Sequence, residues 1–132
     1  MEKSNLVFVY GTLKQDHGNN GLLNGSVFLG DRVTEDKFVL LKHGCPFLVP
    51  VSVLPEDVDP EYLRPVRGEL YQIDEAILED LDRLESNGSF YHRRLIQMKE
   101  GETAWAYHIL DLTYLWSATL CSITDEGEYQ WP

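Results

Sequence analysis

Glu85 occupies a place where a helical carboxylate is poorly solvated. The residues from Glu75 to Glu85 read as a helix, with Asp74 as its N-cap and Asn87-Gly88 as its stop. At about 100° per residue, Ile77, Leu78, Leu81 and Leu84 share one arc, and Glu75, Glu79 and Asp82 belong to the opposite, solvated side. Glu85 follows Leu81 by four residues and Leu78 by seven, so it projects within the apolar arc. It also falls in the last turn, where the helix dipole disfavours an anion. Partial burial and the dipole both raise a carboxyl pKa, and a carboxyl poised nearer neutrality suits general acid–base work. The plainer alternative is that the helix frays by one residue and Glu85 reaches water.

A second chemical feature lies near the N-terminus. Tyr10-Gly11-Thr12-Leu13 closes an apolar strand and opens a loop. Gly11 lets the backbone turn sharply and approach a ligand, and consecutive N–H groups over this stretch can form an anion-binding concavity. Tyr10 adds a hydroxyl, and Asn19 and Asn20 add amides. The segment is not a phosphate loop, because it lacks the glycine spacing and the Gly-Lys-Ser/Thr ending. His43 and Cys45 stand two apart without an orienting third group, so the thiol reads as packed. His17, His92, His108 and Cys121 have no metal-ligand spacing, and no metal site is expected. Tyr91 and Arg93 share one face of a strand, where Arg93 lies near a ligand carboxylate or, the favoured reading, pairs with a surface acid; Trp105 and Tyr107 alternate on the next strand and read as core. The aromatic end, Tyr129 to Pro132, packs across the domain or covers the pocket.

These groups need a scaffold, and 132 residues amount to one domain, residues 1–132. Eleven Lys and Arg against twenty-two Asp and Glu give a charge of −11, which argues against nucleic acid and anionic membrane as partners. Leu6 to Tyr10 is too short an apolar run for a signal peptide or a membrane span, and two cysteines fit a reducing cytoplasm. Leu6–Tyr10 reads as a buried strand, followed by strands over Ser26–Leu29, Lys37–Leu41 and Phe47–Val49, with a short helical turn at Leu22-Leu23. Pro50, Pro55, Pro60 and Pro65 mark a surface excursion. Val66 to Ile73 returns as a strand with Gly68 at a bulge or close backbone approach, and Ile73 and Leu78 staple the helix start. Phe90–Met98 and Thr103–Leu110 form a hairpin around Lys99 to Glu102. The class is α+β on a curled or barrel-like mixed sheet.

Val9-Tyr10-Gly11-Thr12-Leu13-Lys14, followed by Asn19 and Leu22-Leu23, resembles the opening motif of the γ-glutamylcyclotransferase-like superfamily, in its AIG2-like and γ-glutamylamine cyclotransferase branch. Further segments resemble that family in the same order. His43-Gly44-Cys45-Pro46-Phe47 is similar to its Gly-x-Tyr-Pro region, and Val66-Arg67-Gly68-Glu69-Leu70-Tyr71 to its Gly-x-Leu-Tyr strand. Leu81-Asp82-Arg83-Leu84-Glu85-Ser86 resembles its Leu-Asp-x-hydrophobic-Glu motif, and Phe90-Tyr91-His92-Arg93 its Tyr-x-Arg. Two segments depart from the pattern: Lys14-Gln15-Asp16 stands in place of Lys-Arg-Gly, and Asn87-Gly88-Ser89 in place of a proline.

The resemblance implies a small mixed β-barrel with flanking helices and an enzyme that needs no cofactor. It implies a small γ-glutamyl substrate, cyclised to 5-oxoproline with release of a free amine. Glu85 corresponds to the catalytic acid/base. Tyr10, Gly11, Thr12, Leu13, Asn19 and Tyr91 correspond to substrate-binding residues. The rival expectation is a binding module that holds a small carboxylate-bearing ligand in the same pocket without turnover, since one fold serves many functions.

Overall fold

The computed structural model describes residues 5–11, 14, 20–43, 46–85, 91–110 and 118–131. Its centre is β1 (Leu6–Val9), flanked by β5 (Arg67–Gln72) on one side and β7 (Thr103–Ile109) on the other. β1 runs antiparallel to β5 and parallel to β7. Its uninterrupted apolar sequence suits a strand covered on both faces. Phe8 and Tyr10 point into one core with Leu40, Leu48, Leu70, Ile96 and Ala106. Val7 and Val9 point into the other, with Leu23, Ile77, Leu81 and Tyr107.

The five-stranded sheet is completed by β2 (Val27–Val33) outside β5 and β6 (Tyr91–Gln97) outside β7, in the order β2-β5-β1-β7-β6. β6 and β7 form the expected hairpin, and Gly101 in its turn takes a positive φ of 104°. The first of the middle strands is longer than its apolar run: β2 continues past Leu29 to Val33, with a register shift between Phe28 and Gly30. That irregularity, with Gly30 at φ 114°, twists an edge on which Val27, Phe28 and Leu29 are exposed.

A smaller sheet covers the first core. It consists of β3 (Phe38–Lys42), β4 (Pro46–Pro50) and β8 (Thr119–Leu120), in the order β4-β3-β8. The proline-rich segment after it runs over the surface through two short 3-10 turns, Val51–Val53 and Pro60–Tyr62, with no buried residue in either. The second core is capped by α1 (Glu75–Leu84) and by the 3-10 turn Asn20–Leu23. A third two-stranded piece pairs β9 (Ser122–Ile123) with β10 (Tyr129–Gln130). Tyr129 is fully buried and donates its hydroxyl to the Tyr62 carbonyl at 2.8 Å, so the aromatic tail packs across the domain here.

The class is therefore α+β and strand-rich, as expected, but the described residues hold one α-helix, not several. The two outer strands approach one another at one end, where Thr34 bridges Met98 and the Lys99 N–H donates to Val33. Elsewhere the described ladder pairs form three separate sheets. No helix among the described residues is long and apolar enough to cross a membrane.

Gly68 marks a close approach, while the bulge falls on β2. A Cβ at Gly68 would stand 2.4 Å from the Val9 carbonyl oxygen and 2.7 Å from the Phe8 ring. Gly68→Ala should lower stability by about 1–3 kcal/mol, the usual cost of overpacking. Gly21→Ala, whose Cβ meets nothing within 4 Å, should stay within about 0.5 kcal/mol of the parent. Thermal unfolding of the two variants side by side checks the contrast.

Candidate active site

α1 begins as its sequence dictates. The Asp74 carboxylate accepts from the Ile77 N–H at 2.8 Å, and the backbone leaves the helix at Glu85, whose φ and ψ are −88° and 1°. The helix thus ends one residue before the expected boundary. Leu84, expected on the core arc, is 40 % exposed because it lies in this final turn, at the rim of the second core. Glu85 nonetheless stays part-buried. Its N–H donates to the Leu81 carbonyl at 2.9 Å, and its own carbonyl accepts from the Tyr91 N–H at 3.4 Å. Burial alone pushes its carboxyl up to about 7. The fraying is real at the backbone, but the carboxyl does not escape into bulk water.

Asp82 is where the sequence reading has to be corrected. It was expected on the solvated side of α1, yet both its oxygens are engaged. Oδ1 accepts from the Tyr107 hydroxyl at 2.6 Å, and Oδ2 from the Arg93 guanidinium at 2.7 Å. Arg93 and Tyr107 are direct cross-strand partners in the β6–β7 ladder, so two neighbouring strands converge on one helical carboxylate. The Arg93 guanidinium also lies 4.3 Å from the centre of the Trp105 ring. Arg93 therefore pairs with an acid, as expected. Burial, followed by the hydrogen bond to Asp82, raises the Tyr107 phenol, and the Glu85 charge acts in the same direction. The available signal in the sequence was the i,i+3 spacing of Asp82 and Glu85, which makes them neighbours on a helix.

Tyr10, expected to offer a hydroxyl to a ligand, donates it to the Tyr107 carbonyl at 2.6 Å, and its ring is buried. Gly11 is buried too, but its φ is not positive; its missing side chain makes room for a proline ring. A Cβ there would stand 2.4 Å from Pro46 Cγ. Tyr91 stacks on Phe47, with centroids 6.0 Å apart and planes 9° apart, and donates its hydroxyl to the Pro46 carbonyl at 3.0 Å. Pro46 thus links Gly11 to Tyr91. Thr12, Leu13 and Asn19, like Cys45, lie outside the described residues. Lys14, not singled out from the sequence, is buried and donates to the Trp131 carbonyl; burial lowers its pKa, against the opposing effect of Glu69 and Asp31.

The second histidine group is less organised. His92 and His108 are cross-strand partners with rings 6.2 Å apart, and burial lowers His108. An open groove of about 520 Å³ lies between Lys37, Phe38, Val51, Leu63 and Arg94, and none of the residues expected at the site line it.

The raised pKa of Glu85 has a consequence for stability. Between about 4.5 and 7 the folded protein holds a proton that the unfolded chain has released, so stability falls as pH rises through this window and is constant above it. Glu85→Gln, which cannot ionise, should therefore be more stable than the parent at pH 8, by about 1–3 kcal/mol after allowance for partial exposure. The difference should vanish near pH 4. Unfolding curves of both proteins across pH 4 to 8 check it.

Comparison with known proteins places the chain in a family. The family model for gamma-glutamyl cyclotransferase, AIG2-like, matches residues 7–130. The gamma-glutamylcyclotransferase family protein YtfP of Escherichia coli K12 is 36 % identical over 102 residues, covering 76 % of this chain and 79 % of that one. A Vibrio cholerae homologue is 35 % identical over 125 residues, 94 % of each chain. The crystal structure of an AIG2-like protein from Mus musculus superposes with a TM-score of 0.71 at 25 % identity, covering 99 % of this chain and 98 % of that one. The chain belongs to the AIG2-like gamma-glutamyl cyclotransferase family.

Proposed function

We propose that the protein converts a small γ-glutamyl compound to 5-oxoproline and a free amine, with Glu85 as the acid/base. The observation that carries this reading is a part-buried carboxyl poised at about 7, at the end of the helix that packs on β1 and β7. Family membership supplies the substrate class, a small molecule bearing a γ-glutamyl group.

The reaction moves two protons from the attacking nitrogen to the leaving nitrogen. Glu85 as carboxylate takes a proton from the α-ammonium of the glutamyl group. The freed amine attacks the γ-carbonyl carbon, forming the ring C–N bond and a tetrahedral oxyanion. When the oxyanion collapses, the C–N bond to the leaving group breaks and Glu85 returns its proton to the departing nitrogen; the ring nitrogen then loses its second extra proton, through Glu85, to the released amine, which departs as an ammonium. Atoms and charge balance without a redox step. Ring closure is intramolecular, so holding the folded substrate conformer supplies much of the acceleration. Glu85 titrating near neutrality suits it to both transfers, since neither form is strongly favoured.

Oriented N–H groups across Gly11, Thr12 and Leu13, with Asn19 nearby, are the proposed cradle for the glutamyl carboxylate and the oxyanion. Tyr10 serves it indirectly, by fixing the strand end from which this loop departs, and Tyr91 through its hold on Pro46. With a charge of −11 on the whole chain, attraction for a carboxylate has to come from short-range dipoles. The proposed compartment is the cytoplasm, where a free thiol such as buried Cys121 stays reduced.

Incubation with a panel of γ-glutamyl amines and γ-glutamyl dipeptides, assayed for 5-oxoproline, should find a substrate. Glu85→Gln should then lose at least about a hundredfold in turnover while still binding a non-cyclisable analogue. Near-parental turnover in that variant removes Glu85 from the mechanism. Analogue binding with no turnover of any panel member by the parent protein leaves the binding-module reading in its place.

A further inference from the structure

We propose that Tyr107 is a positioning residue for Glu85, holding the last turn of α1 through Asp82 while its own carbonyl holds Tyr10 at the end of β1. The geometry points to this because one residue faces both halves of the site. Its side-chain hydroxyl donates to Asp82 Oδ1 at 2.6 Å, three residues before Glu85 on the same helix. Its backbone carbonyl accepts from the Tyr10 hydroxyl at 2.6 Å, one residue before Gly11. Arg93, opposite Tyr107 in the ladder, occupies the second oxygen of Asp82. Asp82 therefore cannot turn without breaking two charge-assisted bonds, each stronger than a neutral one.

Helix ends are the places where a helix opens first, because the last carbonyls have no partner within it. α1 is ten residues long and its C-cap is Glu85 itself, so the carboxyl stands in the part of the helix that opens first. The Asp82 bridge provides an anchor from the sheet, on the rigid β6–β7 hairpin. A side chain held this way keeps a fixed distance to groups carried on β1, and positional error of about 1 Å can cost roughly a hundredfold in rate. Tyr107 acts through Asp82 and does not need to touch the substrate.

The charged and titratable groups on these elements are Glu75, Glu79, Asp80, Asp82 and Arg83 on α1, Tyr91, His92, Arg93 and Arg94 on β6, and Tyr107 and His108 on β7. Removing the Tyr107 hydroxyl alters no formal charge in this set. A shift in Glu85 titration after Tyr107→Phe therefore reports hydration and placement. Because burial is what raises the Glu85 carboxyl, a loosened turn admits water and lowers its midpoint.

The catalytic half of the test rests on the proposed function; the structural half does not. The side-chain carboxyl of Glu85 is followed by ¹³C NMR across pH 4 to 9, its signal assigned by its loss in Glu85→Gln. In Tyr107→Phe its midpoint should fall by about one pH unit or more toward the ordinary carboxyl range. Protection of the Glu85 amide, which donates to Leu81, should drop at least about tenfold, with the β1 amides unchanged. Asp82→Asn lies at the part-exposed end of the same bridge and leaves the sheet intact. Its amide-exchange response should match, which decides the matter if Tyr107→Phe does not fold. Turnover of Tyr107→Phe should fall roughly tenfold to a hundredfold in kcat, with KM within about twofold.

An unchanged midpoint and unchanged Glu85 protection in folded Tyr107→Phe overturn the proposal, as does unchanged protection in Asp82→Asn. If Glu85→Gln keeps full turnover while midpoint and protection move, Tyr107 still positions Glu85 and only the catalytic assignment fails. If Glu85→Gln is inactive and neither readout moves, the opposite holds.

Discussion

Because both faces of β1 are covered, none of Val7, Phe8 or Val9 can be left to solvent, and the strand's neighbours have to supply two cores at once. That demand organises the molecule. α1 lies on one face because Ile77 and Leu81 cover Val7 and Val9. β3 and β4 lie on the other because Leu40 and Leu48 cover Phe8. Gly68 of β5 is forced to be small by the same crowding, since the Val9 carbonyl and the Phe8 ring fill the space a side chain would need. Close packing of this kind fixes the end of β1 at Tyr10 and the face of α1 that rests on the strand.

Electrostatics adds a second layer. In a chain with twice as many acids as bases, three described arginines paired with acids set structural joins. Arg32 meets Glu100 and Glu102, which ties β2 to the β6–β7 turn. Arg67 meets the nearly buried Glu128, which ties β5 to the C-terminal segment. Arg93 meets Asp82, which ties the hairpin to α1. The Arg83–Asp80 pair is exposed and within one helix, so it joins nothing distant and contributes little. The pairs that matter are those that cross between elements with part of their surface withdrawn from water. Glu85 is different, because its raised pKa comes from burial and no cation among the described residues pairs with it. Leaving one carboxyl uncompensated among paired ones costs stability at neutral pH, and such a cost is common at sites that carry function.

A good part of this was legible in the residues alone. The buried strand at Leu6, the Asp74 cap, the hairpin around Gly101 and the strand carrying Gly68 all have local causes: alternation, capping and turn chemistry act over a few residues. The same local reasoning identified Glu85, since helical periodicity puts it next to Leu81 and Leu78. It failed at Asp82 for a physical reason. The helical wheel ranks positions by apolar neighbours, whereas the environment of Asp82 is made by Arg93 and Tyr107, polar groups that arrive from strands eleven and twenty-five residues later. Nor could it show that the space beside Gly11 is filled by Pro46, from a strand that only the fold brings near.

By itself, then, the sequence determined the elements and the chemical candidates: a double-faced strand, a capped helix whose last carboxylate cannot be well solvated, and a glycine turn after Tyr10. Those follow from interactions between residues close along the chain, where backbone geometry sets which side chains are neighbours. The tertiary structure alone decided what each candidate touches. It directed the Tyr10 hydroxyl to a β7 carbonyl, seated Pro46 against Gly11, and turned Asp82 from a solvated acid into the joint between helix and hairpin. Such contacts depend on how separate elements stack, and stacking is set by the whole set of buried surfaces, which no short stretch of sequence contains.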